Sequence, residues 1–321
     1  MSKTKCLLKM IRGNHDLKIT HDEIEKMIGN SIGEDEALDL YRSMGIALKL
    51  NGDFYEFSKI NFLEKRVIKE KIDQIENATS IRLEVEEIIE TTSRYFTDED
   101  FKRHEYSLCF AEFQTQGRGR ASNTWFSPFG SGICFSVIGC LSNESSPLGL
   151  SIYCGISLVR ILRELGYEDV FMKWPNDLIH DGKKLGGILI ELSSKSSEYY
   201  MFNIGIGVNH DLRSELNSMH ENHFPPTDLK QIDHRVNFSR SEMSGIFAKA
   251  IIESLMNFDQ KSMQKAFSLW PEFDALHQKN IKIIEGDTCI EGKNLGIDDT
   301  GALLLDQNGI IKRVYNGHLV A

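Results

Sequence analysis

Near the start of the chain apolar residues recur at helical spacing, at Leu7, Leu8 and Ile11 and again at Ile24, Met27 and Ile28. Thr20-His21-Asp22-Glu23 precedes the second set. A hydroxyl three residues ahead of a carboxylate is the pattern of a capping box, which satisfies free N–H groups of a first helical turn. A third helix is predicted over residues 34–44, stopped by Gly45. The period then shortens to two through Ile46-Ala47-Leu48-Lys49-Leu50, Asn51-Gly52 supplies a tight turn, and Phe54-Tyr55-Glu56-Phe57 returns. Three helices and a hairpin in that order predict a winged helix-turn-helix over residues 1–65, followed by a charged helical connector over 65–76.

Between residues 66 and 270 strands and helices mix. Strands are predicted over 83–86, 108–113, 133–138, 170–173, 187–192 and 199–208. A helix over 148–165 carries an apolar face at Leu150, Cys154, Leu158, Ile161 and Leu162, and another spans 238–258. Thr91-Thr92-Ser93 has the residue types to cap a helix that follows it. Several neighbouring strands with few crossover helices favour an α+β arrangement with a central mixed sheet over a doubly wound fold. From residue 271 the spacing tightens to short strands over 281–285, 288–291, 296–297, 302–305 and 310–314. Gly286-Asp287, Asp299-Thr300-Gly301 and Asn308-Gly309 punctuate them. That pattern predicts a small closed β-barrel over 271–321, and three domains in all.

Composition narrows the function classes. The 321 residues carry 37 Lys+Arg against 47 Asp+Glu, a formal charge of -10, with ordinary apolar and charged fractions. A chain that coats nucleic acid needs a broad basic surface, so that class is excluded, although one DNA-contacting module is not. The six cysteines form no CxxC pair and sit mostly in apolar runs, as expected of reduced buried thiols. The N-terminus is broken by charge every few residues and does not read as a signal peptide. The uncharged stretch between Arg120 and Glu144 is interrupted by Ser, Asn, Pro and Gly. A loop followed by a strand is expected there, in a soluble cytoplasmic protein without a membrane partner.

Three segments carry candidate chemistry. The first is Gln114-Thr115-Gln116-Gly117-Arg118-Gly119-Arg120, running on to Trp125-Phe126-Ser127-Pro128. Its glycines let the backbone approach a ligand, its arginines can neutralise phosphate or carboxylate oxygens, and Trp125 offers a flat face. A solvated basic turn would look similar. The second is Lys173-Trp174-Pro175-Asn176-Asp177, with Pro175 ending a strand and Asn176-Asp177 turning, followed by Lys183-Lys184-Leu185-Gly186-Gly187. It reads either as a hairpin with polar turn residues or as Lys184 at a pocket mouth, placed where negative charge develops. In the third, Gly205-Ile206-Gly207-Val208-Asn209, glycines permit close approach, and Asn209 either reads an adenine edge or caps a turn. No Walker-type loop and no suitably placed GxGxxG is present, which argues against P-loop and Rossmann chemistry. His210, His220 and His223 are spaced irregularly and read as surface histidines.

In this order the segments resemble the biotin–protein ligases. The family pattern is GRGR, then W-F/S-S-P, KWPND, K-L-x-G-I-L-x-E and G-x-G-x-N. The chain carries Gly117-Arg118-Gly119-Arg120, Trp125-Phe126-Ser127-Pro128, Lys173-Trp174-Pro175-Asn176-Asp177, Lys184-Leu185-Gly186-Gly187-Ile188-Leu189 with Glu191, and Gly205-x-Gly207-x-Asn209. The layout is similar to the bacterial type that is also the biotin-operon repressor, with Gly301-Ala302-Leu303-Leu304-Leu305 and Gly309-Ile310-Ile311-Lys312 in its SH3-like C-terminal domain. The resemblance implies that biotin and Mg2+-ATP give biotinyl-5'-AMP. A lysine of the biotin carboxyl carrier protein of acetyl-CoA carboxylase then displaces AMP. It implies that Thr91, Thr92, Ser93, Gln114, Arg118, Gly119, Arg120, Lys184 and Gly187 bind biotin. Trp125, Lys173, Asn176, Asp177 and Asn209 bind the nucleotide, Lys184, Arg118 and Arg120 act in catalysis, and no fixed protein-only metal site is implied. Operator DNA and a second copy of the chain are the further partners implied.

Three departures bear on function. Where the commoner pattern continues R-G-R/K-W after the GRGR loop, this chain has Ala121-Ser122-Asn123-Thr124-Trp125. The pocket triplet is Thr91-Thr92-Ser93 where Ser-Thr-Asn is commoner. The helix expected to read DNA opens Glu34-Asp35-Glu36 and adds Asp39 against Arg42, within a module of 10 Lys+Arg and 11 Asp+Glu. Phosphate contact needs cations, so operator binding is expected to be weak or lost. Alternatives are a lipoate–protein ligase, a winged-helix regulator that uses the middle domain as a biotinyl-adenylate sensor, and a non-catalytic vestige.

Overall fold

The computed structural model describes residues 8–12, 14, 17–28, 34–46, 48–77, 80–96, 106–142, 149–195, 199–212 and 225–320. Leu7, Ala47, His220 and His223 lie outside the described residues. The N-terminal unit runs α1 (residues 8–12), β1 (Lys18–Thr20), α2 (His21–Ile28), α3 (Glu34–Ser43), β2 (Leu48–Asn51) and β3 (Phe54–Phe57). The capping box forms as expected. The Thr20 N–H donates to Glu23 Oε2 at 2.8 Å, and the Glu23 N–H donates to Thr20 Oγ1 at 3.2 Å. The hairpin turns one residue later than expected, at Gly52-Asp53, because Asn51 still pairs with Phe54; Gly52 takes φ 66°. β1, which no alternation in the sequence announced, pairs antiparallel with β3, so the sheet order is β1-β3-β2.

The middle of the chain begins with α4 (Lys65–Ile72) and strands β4 (Ile81–Ile89), β5 (Tyr106–Gln114) and β6 (Gly132–Ser142). It continues through α5 (Leu150–Glu164), β7 (Val170–Lys173), β8 (Asp177–His180), β9 (Lys183–Lys195) and β10 (Tyr199–Asn209). Helices α6 (Leu229–Ile232), α7 (Arg240–Met256), α8 (Gln260–Ser268) and α9 (Trp270–Phe273) complete it. The seven strands form one mixed sheet of order β4-β5-β6-β10-β9-β8-β7, parallel only between β4 and β5. This is the α+β architecture expected. Two local expectations need correction. Thr91-Thr92-Ser93 leads into a single 3-10 turn, Thr92–Arg94. The Trp174–Pro175 peptide bond is cis, and the chain reverses so tightly there that Asp177 already pairs with Lys173 as the first residue of β8.

The C-terminal unit comprises β11 (Asn280–Glu285), β12 (Thr288–Ile297), β13 (Leu303–Gln307), β14 (Ile310–Val314) and β15 (His318–Val320). The two short strands expected over 288–297 are one strand, with a register shift between Asn294 and Gly296 where Gly296 takes φ 105°. The expected closed barrel is not formed: the order is β14-β13-β12-β11-β15, and β14 and β15 stay at opposite edges. Packing explains this. The inward residues Ile281, Ile283, Ile290, Leu303, Leu305 and Val314 join the same apolar cluster as Trp270 and Phe267, so the central unit covers the face that closure would have hidden. Trp174 Nε1 also donates to the Gly301 carbonyl at 3.0 Å across that contact.

The N-terminal unit packs on the same body. Its core residues Ile19, Ile24 and Tyr41 share one cluster with Phe113 of β5 and with Phe129. The Phe129 N–H donates to the Met44 carbonyl at 2.8 Å, and a Cβ on Gly45 would sit 2.7 Å from that of Pro128. Arg240, at the start of α7, is 1% exposed and pairs with buried Glu112. Its other N–H groups donate to the Asn61 carbonyl at 3.0 Å and the Gly132 carbonyl at 2.9 Å. Among the described residues no helix is long and apolar enough to cross a membrane.

Candidate active site

A cavity of about 520 Å³ opens against β5, β6, β9 and β10. Every residue that the resemblance assigns to biotin, nucleotide or catalysis lines it: Thr91, Thr92, Ser93, Gln114, Arg118, Gly119, Arg120, Trp125, Lys173, Asn176, Asp177, Lys184, Gly187 and Asn209.

The first polar cluster gathers hydroxyls and amides. The Thr92 N–H donates to Gln114 Oε1 at 2.8 Å, and the Thr92 hydroxyl lies 3.2 Å from the same oxygen and 2.7 Å from Ser136 Oγ. Thr91 Oγ1 and Ser93 Oγ are 3.2 Å apart, and the Asn203 amide donates to the Ser93 carbonyl. Thr91, Thr92 and Ser136 are buried. Buried polar groups fixed by one another in this way form a preorganised hydrogen-bonding surface for a small polar ring.

The second cluster is cationic. Asp177 Oδ1 lies 2.7 Å from Lys184 Nζ, and its Oδ2 lies 3.0 Å from Lys173 Nζ. Burial alone would push the Asp177 carboxyl up, but the two lysines outweigh it and hold the group below the usual carboxylate range. Burial pulls the Lys173 ammonium down against the pull of Asp177, and pulls the Arg120 guanidinium down likewise. Arg120 donates to Asn176 Oδ1 at 3.3 Å, while Asn176 Nδ2 donates to the Ile188 carbonyl at 2.8 Å. The tight β7–β8 reversal thus aims Lys173, Asn176 and Asp177 at one spot.

The segment between β5 and β6 folds back on itself over the cavity. The Gly119 N–H donates to the Asn123 carbonyl at 2.7 Å and the Trp125 N–H to the Gly117 carbonyl at 2.9 Å. A Cβ on Gly117 would lie 2.2 Å from the Trp125 carbonyl oxygen, so only glycine fits there. Arg118 reaches from this segment to Glu191 of β9, at 2.7 and 3.0 Å. Trp125 lies flat on β10, where a Cβ on Gly207 would meet its Cε2 at 2.4 Å. Lys184 Nζ sits 5.7 Å from the centre of the indole. Asn209 Nδ2 donates to the Thr227 and Lys184 carbonyls at 3.0 and 3.4 Å, which fastens residues 225–227 beside β9.

Several lining residues had no sequence signal. Ser136 faces the cavity from a strand that reads only as apolar, and Ile284, Gly317, His318 and Leu319 arrive from the C-terminal sheet. His210, read as a surface histidine, is buried at 4% exposure, and burial with Arg240 and Lys230 nearby brings it down to about 4. Among the described residues no group of three or more His, Cys, Asp or Glu side chains is placed to hold a metal ion.

The chain is similar to known proteins of one family. The Biotin/lipoate A/B protein ligase family matches residues 85–209. The chain is 34% identical over 233 residues to the bifunctional ligase/repressor BirA of Escherichia coli (strain K12), covering 72% of this chain and 71% of that protein. It is 29% identical over 225 residues to the Bacillus subtilis protein of the same name, covering 67% and 66%. Among solved structures, the biotin protein ligase of Aquifex aeolicus in complex with biotin and ATP superposes with a TM-score of 0.62 at 25% identity, covering 74% of this chain and 97% of that one. With these motifs gathered on one cavity, the chain belongs to the biotin–protein ligase family that includes the bifunctional ligase/repressors.

Proposed function

We propose that this cavity carries both half-reactions of an ATP-dependent biotin–protein ligase. The hydroxyl and amide groups of Thr91, Thr92, Ser93, Gln114 and Ser136 hold the ureido ring of biotin. Lys184, Arg118 and Arg120 offset the negative charge that builds as the biotin carboxylate attacks the α-phosphate of ATP. Pyrophosphate leaves and biotinyl-5'-AMP remains. Trp125 stacks on the adenine, with Asn209 beside it, and Lys173, Asn176, Asp177 and Gly187 shape the phosphate end. Mg2+ enters with the ATP as part of the substrate. In the second half-reaction a lysine of the biotin carboxyl carrier protein attacks the anhydride and AMP departs. The anhydride hydrolyses readily in water, so a covering segment that ties Arg118 to Glu191 serves the chemistry.

The observation that carries this reading is the pairing of a buried hydroxyl–amide cluster with a separate lysine–arginine cluster in one cavity. The test is transfer of labelled biotin to a carrier domain with ATP and Mg2+, run beside labelled lipoate. Biotin labelling is expected, and Lys184→Ala should lower it by a factor of one hundred or more, the loss of a few kcal/mol of barrier stabilisation. Labelling only with lipoate would overturn the reading.

The flanking units extend it. The helix–hairpin unit is a winged helix-turn-helix, and the C-terminal sheet is an open relative of the SH3-like barrel. Residues 189–195 of β9 run beyond the reach of β8, whose pairing with β9 ends at Gly187, and beyond Asn176, which takes both backbone groups of Ile188; this edge suits a side-by-side homodimer. Operator recognition is weak. Asp35, Glu36 and Asp39 are exposed on α3, and the Arg42 guanidinium is drawn to Asp39 at 2.9 Å. Duplex contact there would press carboxylates onto phosphates. A gel shift with biotinyl-adenylate-loaded protein and its own operator should show no nanomolar specific complex; such a complex would overturn this.

A further inference from the structure

The transfer step requires a proton acceptor. A lysine attacks an acyl carbon only as the free amine, and at neutral pH it arrives as an ammonium. The cavity described above adjoins a second, larger one of about 920 Å³ that lies between the 115–124 segment, β9 and the C-terminal sheet. The side chains common to both mark the passage from one to the other, and the ionisable ones are Arg118, Arg120 and His318. Guanidinium groups do not give up their protons in proteins. The carboxylates nearby are engaged or remote: Asp177 is held by two lysines, Glu191 by Arg118, and Glu285 lines only the second cavity. Lys184 is itself paired with Asp177. His318 remains. It is exposed, and its backbone is fixed by pairing with Ile284 across β11 and β15. The charged groups that share its second cavity are Arg94, Arg118, Arg120, Glu191 and Glu285.

We infer that the acceptor lysine enters through the second cavity and that His318 takes its proton in the transfer half-reaction. This rests on the ligase reading above. One proton passes from the lysine ammonium to a ring nitrogen of His318. The freed nitrogen lone pair forms the bond to the biotinyl carbon, the acyl C–O bond to the phosphate breaks, and AMP leaves with that electron pair, its phosphate oxygen taking the second proton that the attacking nitrogen sheds as it becomes the amide. The C-terminal sheet thereby supplies a catalytic residue to a cavity built mainly by the central one.

The test compares the full-length protein with His318→Gln in three assays: biotin-dependent pyrophosphate exchange, labelling of a carrier domain, and trapping of the adenylate by hydroxylamine. Hydroxylamine is a weakly basic amine that needs no deprotonation at neutral pH. Carrier labelling is expected to fall about a hundredfold, a usual contribution for a general base, far outstripping any change in exchange, with hydroxylamine trapping close to the unaltered protein. The loss should shrink as pH rises and more lysine is free. Carrier labelling within threefold of the unaltered protein overturns the proposal, as does a parallel fall in hydroxylamine trapping, which would make the role structural. No exchange by the unaltered protein would overturn the ligase reading itself, and the proposal with it.

Discussion

Gly207 is decided by its neighbour: the indole of Trp125 occupies the space that any side chain there would need. Gly207→Ala should push the indole off β10 and weaken nucleotide binding roughly tenfold, the scale of one stacking contact. The KM for ATP in pyrophosphate exchange checks this, with the KM for biotin expected to stay within threefold. An unmoved KM for ATP would detach Trp125 from the adenine. His210 illustrates the opposite environment, a titratable ring shut away and brought down to about 4 by burial, with Arg240 and Lys230 adding to it. Its folded value lies below its unfolded one, so the unfolded chain takes up the proton first as pH falls. The stability associated with neutral His210 is complete above pH ~6.5 and drains away as pH drops towards 4, on the order of 3 kcal/mol in all. Urea midpoints from pH 7 to 4.5 should fall more steeply for the parent than for His210→Gln. Parallel slopes would count against the assignment.

Among elements, the covering segment and β9 act as a pair. Their link, Arg118 to Glu191, is about a third exposed on both sides, so it is worth about 1 kcal/mol or less. Glu191→Gln should therefore loosen the cover without removing it. The expected result is a roughly two- to fivefold rise in pyrophosphate released per biotin transferred, because more adenylate escapes or hydrolyses. A ratio equal to the parent's would show that the pair does not hold the cover down. Element by element, legibility in the sequence followed locality. The α2 cap, the hairpin (to within one residue, its turn falling at Gly52-Asp53) and the long strands were readable because their signals sit within a few residues of one another. β1 is three residues whose only cause is β3, and β8 was masked by turn-forming Pro175 and Asn176 immediately ahead of it. The motif residues of the site were legible in the same way. Ser136 and His318 were not, because what brings them to the cavity is the packing of strands far apart in the chain.

For the whole molecule, Arg240 is the point where three parts meet: it pairs with Glu112 of β5 and donates to the carbonyls of Asn61 and Gly132. Removing it strands a buried carboxylate. Arg240→Met should cost about 3–5 kcal/mol in urea unfolding, whereas adding Glu112→Leu should recover much of that. Equal losses in single and double variants would mean that the charge is not what matters. The barrel that failed to close has the same lesson at this scale: the strands near 281–285, 302–305 and 310–314 were readable, whereas the neighbour that covers the inner face of the sheet was not. The shared cluster of Ile19, Ile24 and Tyr41 with Phe113 and Phe129 has its own consequence. The small N-terminal unit has two faces under different constraints. Under the proposed function its outward helix is free to drift away from DNA reading, while its inward face remains answerable to the chain segment that leads on from Trp125. On the proposed reading, a lineage that lost the repressor there would still be unable to discard the module.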